Sequence, residues 1–226
     1  MKYIKFYLLF LAISSLTFSA NSFAQSEEDQ SFTGIEEIIV TARKKEEPLQ
    51  ETPVTITALT DAKIQKLYAT DLQDLGMSVP NLLINTAASG SFTNSAAVFM
   101  RGIGNSDIDS TIDPPIGIFI DGVYVPRSSN SNLDLFDVEQ VEVLRGPQGT
   151  LFGRNTTAGA IVVRSKRPTG EFGAKARLTM GDYGRRDLRV AVETPLSDTV
   201  NAKISILQQK SDGFFKAKYQ THPNYS

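Results

Sequence analysis

With 226 residues the chain has room for one ordinary domain and a tail, and 23 lysines and arginines against 25 acidic residues leave a formal net charge of −2, too balanced for a broad nucleic-acid surface. The absence of cysteine excludes a disulfide framework, a thiol nucleophile and a cysteine-ligated metal. The single histidine, His222, cannot build a multi-histidine metal site, so no metal site, cofactor or catalytic group is expected.

The chain opens as a secretory signal does. Lys2 and Lys5 give a positive start, residues 6–18 are mostly apolar, and Ser22-Phe23-Ala24 puts small residues at the two positions a signal peptidase reads. The apolar run is short of the roughly 20 residues a helical crossing needs, and Ser14, Ser15 and Thr17 dilute it. Residues 1–24 are expected to be a signal peptide, which directs export without naming the final membrane.

Residues 25–46 read as a flexible leader. Residues 25–33 are polar and acidic and lack the apolar content to pack. Then come Ile38-Ile39-Val40, consecutive β-branched residues inside a charged neighbourhood, before charge returns at residues 43–47. Pro48 and Pro53 prevent a long helix. An apolar strand in such a leader suits pairing with another protein's sheet edge. It suits equally the first strand of the domain that follows.

Residues 47–168 alternate short strands and short helices, the pattern of a small α+β domain. Residues 54–59 read as a strand, 62–68 as a short helix after an N-cap at Thr60-Asp61, and Asp71 starts a second helix that Gly76 ends. Strands follow at 81–85 and 97–101, separated by the small, polar loop 87–95. In the acidic loop 105–115, Asp107, Asp109, Thr111 and Asp113 place oxygens at alternate positions, but the glycine and closing glutamate of an EF-hand are missing. A solvated loop is expected there. Residues 116–126 read as a hairpin around Asp121-Gly122, 133–136 as a helical turn, and 138–144 as a half-buried strand. Residues 145–149 form a turn cluster, and a strand at 160–164 closes before Pro168.

After Pro168 the pattern changes. Phe172, Ala174, Ala176, Leu178 and Met180 form one apolar row, Leu188, Val190 and Val192 a second, and Ala202, Ile204 and Ile206 a third. Mostly polar residues alternate with them, and short turns at 181–184 and 195–198 join the strands. Such strands match an outer-membrane barrel or, equally on pattern, a soluble antiparallel sheet with one wet face.

Three stretches resemble the plug domain of TonB-dependent receptors. They are residues 98–102 (VFMRG), 117–124 (GIFIDGVY) and above all 140–153 (QVEVLRGPQGTLFG). A departure is residues 158–164 (AGAIVVR), where the family commonly has a Gly-Gly-Val-Ile-Asn-like strand. The resemblance implies a plug inside a barrel of about 22 strands. It identifies Glu37, Ile38, Ile39, Val40, Thr41 and Ala42 as a TonB box, to which the C-terminal domain of the inner-membrane TonB protein adds a strand. It implies that Arg101 and Arg145 take part in a plug–barrel lock against glutamates of the barrel wall, and Glu142 is grouped with them. Residues of the loops 87–95 and 105–115, among them Ser89, Phe92, Asn94, Asp107, Asp109 and Asp113, become candidates for an apex facing a small-molecule ligand.

The expected fold is thus an α+β plug domain, a short mixed sheet with small helices, followed by the first antiparallel strands of a truncated transmembrane β-barrel. Residues 169–226 accommodate about three strands of the 9–11 residues a membrane barrel uses, so the chain is expected to be a fragment of a longer receptor. Its last strands are expected to splay or fold back, because an open edge cannot sit in lipid. The expected function is energy-coupled uptake across the outer membrane of a scarce nutrient, with ferric siderophores and other iron complexes as the default. The alternative is a stand-alone periplasmic plug-like binding module or a non-functional truncated product. An enzyme is disfavoured, and residues 25–36 are too short for the extra domain of a signalling receptor.

Overall fold

The computed structural model describes residues 37–41, 43–86, 95–106, 112–127, 131–197 and 199–212. A mixed sheet forms the centre of the first domain. Its strands are β3 (Ile56–Thr60), β7 (Ile116–Ile120), β8 (Val123–Val125), β9 (Val138–Arg145) and β10 (Gly159–Ser165), in the order β3-β9-β10-β7-β8. Only β7 and β10 run parallel; the remaining pairs are antiparallel. On one face Val141, Val143, Ile161 and Val163 pack with Leu59, Leu72, Leu75 and Met100 into the main core. That core is closed by helices α1 (Asp61–Lys66) and α2 (Leu72–Gly76) and by the small sheet β4 (Leu82–Asn85), β5 (Ala97–Met100) and β6 (Ile103–Gly104). The leader contributes β1 (Ile39–Val40) and β2 (Glu47–Pro48), an antiparallel pair.

Local chemistry accounts for the elements. Asp71 caps α2 with a reciprocal box: its carboxylate accepts from the Asp74 N–H at 3.2 Å, and the Asp74 carboxylate accepts from the Asp71 N–H at 3.4 Å. Asp121 and Gly122 have φ of 48° and 85°, as a two-residue hairpin turn requires. The Asp121 carboxylate also accepts from the Ser165 N–H at 2.8 Å, tying the hairpin to the end of β10.

Three local expectations fail. Residues 133–136 do not form a helical turn. Residue 72 donates to the carbonyl of Leu133, and Leu135 donates to the carbonyl of Thr70, so the segment is drawn into a bridge that buries Leu135 and Phe136. Strand β9 is not half-buried: its polar-row residues Gln140 and Glu142 are enclosed, because the leader strand covers that face. The turn expected at 195–198 is later, because β12 (Arg186–Ser197) continues through Pro195, next to a register irregularity that accommodates a residue without an N–H.

The remaining strands, β11 (Gly173–Met180), β12 and β13 (Val200–Lys210), form a separate antiparallel sheet. They do not splay; their polar row lies against the first domain. The apolar row points away: Leu178, Met180, Ile204 and Ile206 are 61, 72, 67 and 60% exposed, whereas Asp187 and Arg189 are 2 and 1% exposed. A soluble sheet buries its apolar row. This sheet is inverted, as a barrel wall is.

The close approach of Gly159 in β10 to the Met100 side chain of β5 gives one sharp prediction. A Cβ at Gly159 would lie 2.2 Å from the Met100 sulfur and 2.4 Å from the Leu144 carbonyl oxygen, and the backbone oxygen cannot swing aside. Gly159→Ala is expected to lower the unfolding free energy by about 2 kcal/mol or more, as overpacking of a filled core does, measured by urea denaturation.

Candidate functional site

Residues 38–41, the core of the expected TonB box, are docked on the first domain. Val40 is fully buried, while Glu37 and Ile39 are exposed. On one edge the strand pairs with β2, in the register Ile39↔Pro48 and Val40↔Glu47, and the Leu49 N–H reaches the Ile38 carbonyl at 2.8 Å. On the other side two side chains of β9 meet it. The Gln140 amide donates to the Ile39 carbonyl at 3.0 Å, and the Glu142 Oε1 accepts from the Thr41 N–H at 2.8 Å and its hydroxyl at 3.1 Å. Gln140 also donates to Glu142 at 3.1 Å. Ala42 lies outside the described residues.

Burial pushes the Glu142 carboxyl above the ordinary glutamate range, against the opposing pull of the Thr41 donors and the Arg164 charge. Its Oε2 is buried without a hydrogen-bond partner among the described residues. A carboxyl whose folded pKa is raised costs stability as pH rises from the ordinary glutamate range through the raised value, and costs nothing below both. Glu142→Gln keeps an acceptor for Thr41 and removes the charge. The variant is expected to melt at the same or a higher temperature than the parent at pH 7 and to lose the part of the pH dependence that lies in this window. Melts at pH 4 to 8 check both points.

The two arginines come together at one end of the domain. Arg101 sits at the β5–β6 turn with φ of 52°, and its guanidinium lies beside Gly146, 3.5 Å from where a Cβ would stand. Arg145 donates to the Thr57 hydroxyl at 2.9 Å and to the Pro80 carbonyl at 3.4 Å, and its Nε is buried without a partner among the described residues. Neither meets a carboxylate at ion-pair distance among the described residues. Glu142 does not join them, because an odd separation along β9 turns it to the opposite face from Arg145. Of the expected apex residues, Asp113 is exposed and paired with Arg154 at 3.0 Å. Ser89, Phe92, Asn94, Asp107 and Asp109 lie outside the described residues.

A separate set of contacts joins the inverted sheet to the first domain. Arg189 of β12 donates twice to the Asp134 Oδ2, from Nη2 at 2.7 Å and from Nε at 2.8 Å, and its Nη1 lies 3.6 Å from Asp187. Lys203 of β13 pairs with Asp137, which also accepts from the Ser205 hydroxyl at 2.6 Å. Lys175 and Arg177 of β11 stand over the Phe136 ring at 5.0 and 5.7 Å. The segment 134–137 thus receives cations from all three strands. Sequence reasoning missed it. The signal was the cations on the polar rows of the three strands, which need acidic or aromatic partners once those rows face inward.

The fold has parallels among known proteins. The family model of the TonB-dependent receptor plug domain matches residues 48–160. The catecholate siderophore receptor Fiu of Escherichia coli (strain K12) is 30% identical over 165 residues, covering 73% of this chain and 20% of that protein. The vitamin B12 transporter BtuB of Vibrio vulnificus (strain CMCP6) is 27% identical over 218 residues, covering 96% of this chain and 34% of that protein. The ferrioxamine B receptor of Salmonella typhimurium (strain LT2) is 26% identical over 181 residues, covering 77% and 24%. This chain therefore spans between about a fifth and a third of the length of these curated relatives. Among solved structures, the open form of the ferric-catecholate import receptor Fiu from E. coli K12 superposes with a TM-score of 0.57 at 28% identity, covering 73% of this chain and 22% of that one. The ferric yersiniabactin uptake receptor FyuA from Yersinia pestis shares the fold, with a TM-score of 0.61 at 24% identity over 69% of this chain and 24% of that one.

Proposed function

Because the chain belongs to the TonB-dependent receptor plug domain family, we propose that it serves energy-coupled uptake of a scarce nutrient, with an iron complex as the ligand class. Its place is the outer membrane and its role is transport, not catalysis. Residues 1–24 act as the signal peptide, 25–46 as the leader carrying the TonB box at 37–42, 47–168 as the plug, and 169–226 as the opening strands of the barrel.

The inverted sheet carries this reading. An exposed row of Leu178, Met180, Ile204 and Ile206 beside an enclosed row of Asp187 and Arg189 suits an apolar outer medium. Both edges of a three-stranded sheet also carry unpaired backbone groups, which hydrocarbon does not tolerate. Further strands of a closed wall would pair them. The iron complex is supported by two relatives, a catecholate siderophore receptor and a ferrioxamine B receptor.

The partner is the C-terminal domain of the inner-membrane TonB protein, which adds a strand to residues 37–42 and pulls. Arg101 and Arg145, brought together at one end of the plug, would face glutamates of the wall as a breakable lock. Deleting the coding region and scoring uptake of radiolabelled ferric complexes and of vitamin B12 tests the ligand class. Loss of one ferric complex with vitamin B12 uptake intact is expected. Unchanged uptake of every ferric complex would overturn it.

A further inference from the structure

A strand has two edges, and both edges of residues 38–41 are occupied. The geometry points to Gln140 and Glu142 as a side-chain mimic of a strand edge, a docking site that holds the leader strand and competes directly with an incoming strand. This rests on reading residues 37–42 as the TonB box.

In an extended chain successive residues turn their N–H and C=O to alternate edges. Val40 faces β2, in register with Glu47. The Ile39 carbonyl and the Thr41 N–H therefore face the other edge, and these are the two groups that Gln140 and Glu142 take, at 3.0 and 2.8 Å. The spacing matches: residues 39 and 41 are two apart on the leader, residues 140 and 142 are two apart on β9, and both pairs repeat at the strand period. One side chain donates and the other accepts, as a neighbouring strand would. The Gln140-to-Glu142 hydrogen bond at 3.1 Å fixes the two heads relative to each other.

Nothing in the packing of β9 calls for these residue types. The same face carries Leu144 beside Phe119, Ala160 and Val162, so apolar side chains would fill it. Enclosing a carboxylate and an amide there is costly unless each is bonded. Their partners are supplied largely by the leader. The hold is also a light one: the β1–β2 pair is only two residues long, and among the described residues of the box Val40 is the one fully buried side chain. A strand adding to the free edge must displace the two side chains, and a strand adding to the other edge must displace β2.

The chain has no cysteine, so Val40→Cys creates a unique reporter that reacts with a maleimide only when the leader undocks. In the full chain carrying V40C, adding Q140A/E142A is expected to speed labelling by about tenfold or more, as the loss of three hydrogen bonds to the leader, two of them to a carboxylate, predicts. Affinity for a purified TonB C-terminal domain should rise by a similar factor, because the competent state becomes more populated. Thr41→Pro removes the donor from the leader side and leaves β9 intact. It decides by labelling alone if Q140A/E142A loses its cooperative melt. Labelling that stays slow in the deciding variant overturns the docking site, whether or not the TonB domain binds. Faster labelling with no binding of the TonB domain by any form supports the docking site and instead sinks the assignment of the partner.

Discussion

Replacing Arg189 with methionine is expected to lower the unfolding free energy by about 3–5 kcal/mol, the cost of breaking a buried ion pair from one side. Arg189 is 1% exposed and bridges Asp134 of the plug to Asp187 of its own strand, itself 2% exposed. Removing the cation strands Asp187 in an enclosed site, although Arg185 at 2.8 Å offsets part of the loss. Asp134→Asn should cost less, because the amide oxygen still accepts a hydrogen bond and Asp134 is not fully enclosed. A double-mutant cycle on D134N and R189M should return a coupling of about 1–3 kcal/mol by urea unfolding, in the range for residues that share one ion pair. A coupling near zero would mean that water screens the contact, and that segment 134–137 is not what clasps the wall.

Proline in the leader is expected to abolish uptake while leaving the receptor in place. At Val40 the missing N–H lies on the edge paired with Glu47, and at Ile39 the ring meets solvent, because that residue is exposed. Neither position belongs to the main core built on β9 and β10, so the plug should fold. Uptake of the transported complex should fall to the level of a strain lacking the receptor. An immunoblot of outer membranes should show unchanged abundance. Normal uptake by Val40→Pro would remove the role of strand addition at this segment.

Much of this fold is legible in the sequence because local chemistry dictates it. Asp71 and Gly76 bracket α2, Asp121-Gly122 makes its hairpin, and residues 181–184 turn where expected. What was not legible depends on contacts far along the chain. Residues 133–136 look like a helical turn until residues 70–72 offer them backbone partners. The alternation of β9 suggests a wet face until the leader strand covers it and Thr41 meets Glu142 there. The period of β11–β13 reveals two faces but not which one is inside. Only the placement of Asp187, Arg189 and Lys203 against the plug decides that. Of the candidate site, the motif named residues 37–42 and the two arginines, whereas the aspartates that receive the cations of β11, β12 and β13 belong to no motif.

If β11, β12 and β13 are part of a barrel wall around this plug, the native product is a larger protein of the outer membrane. An antibody raised against residues 47–168, applied to fractionated cells, tests it most directly. A band in the outer-membrane fraction well above the 24.7 kDa of this chain is expected. A band near 24.7 kDa in the soluble periplasm would contradict it.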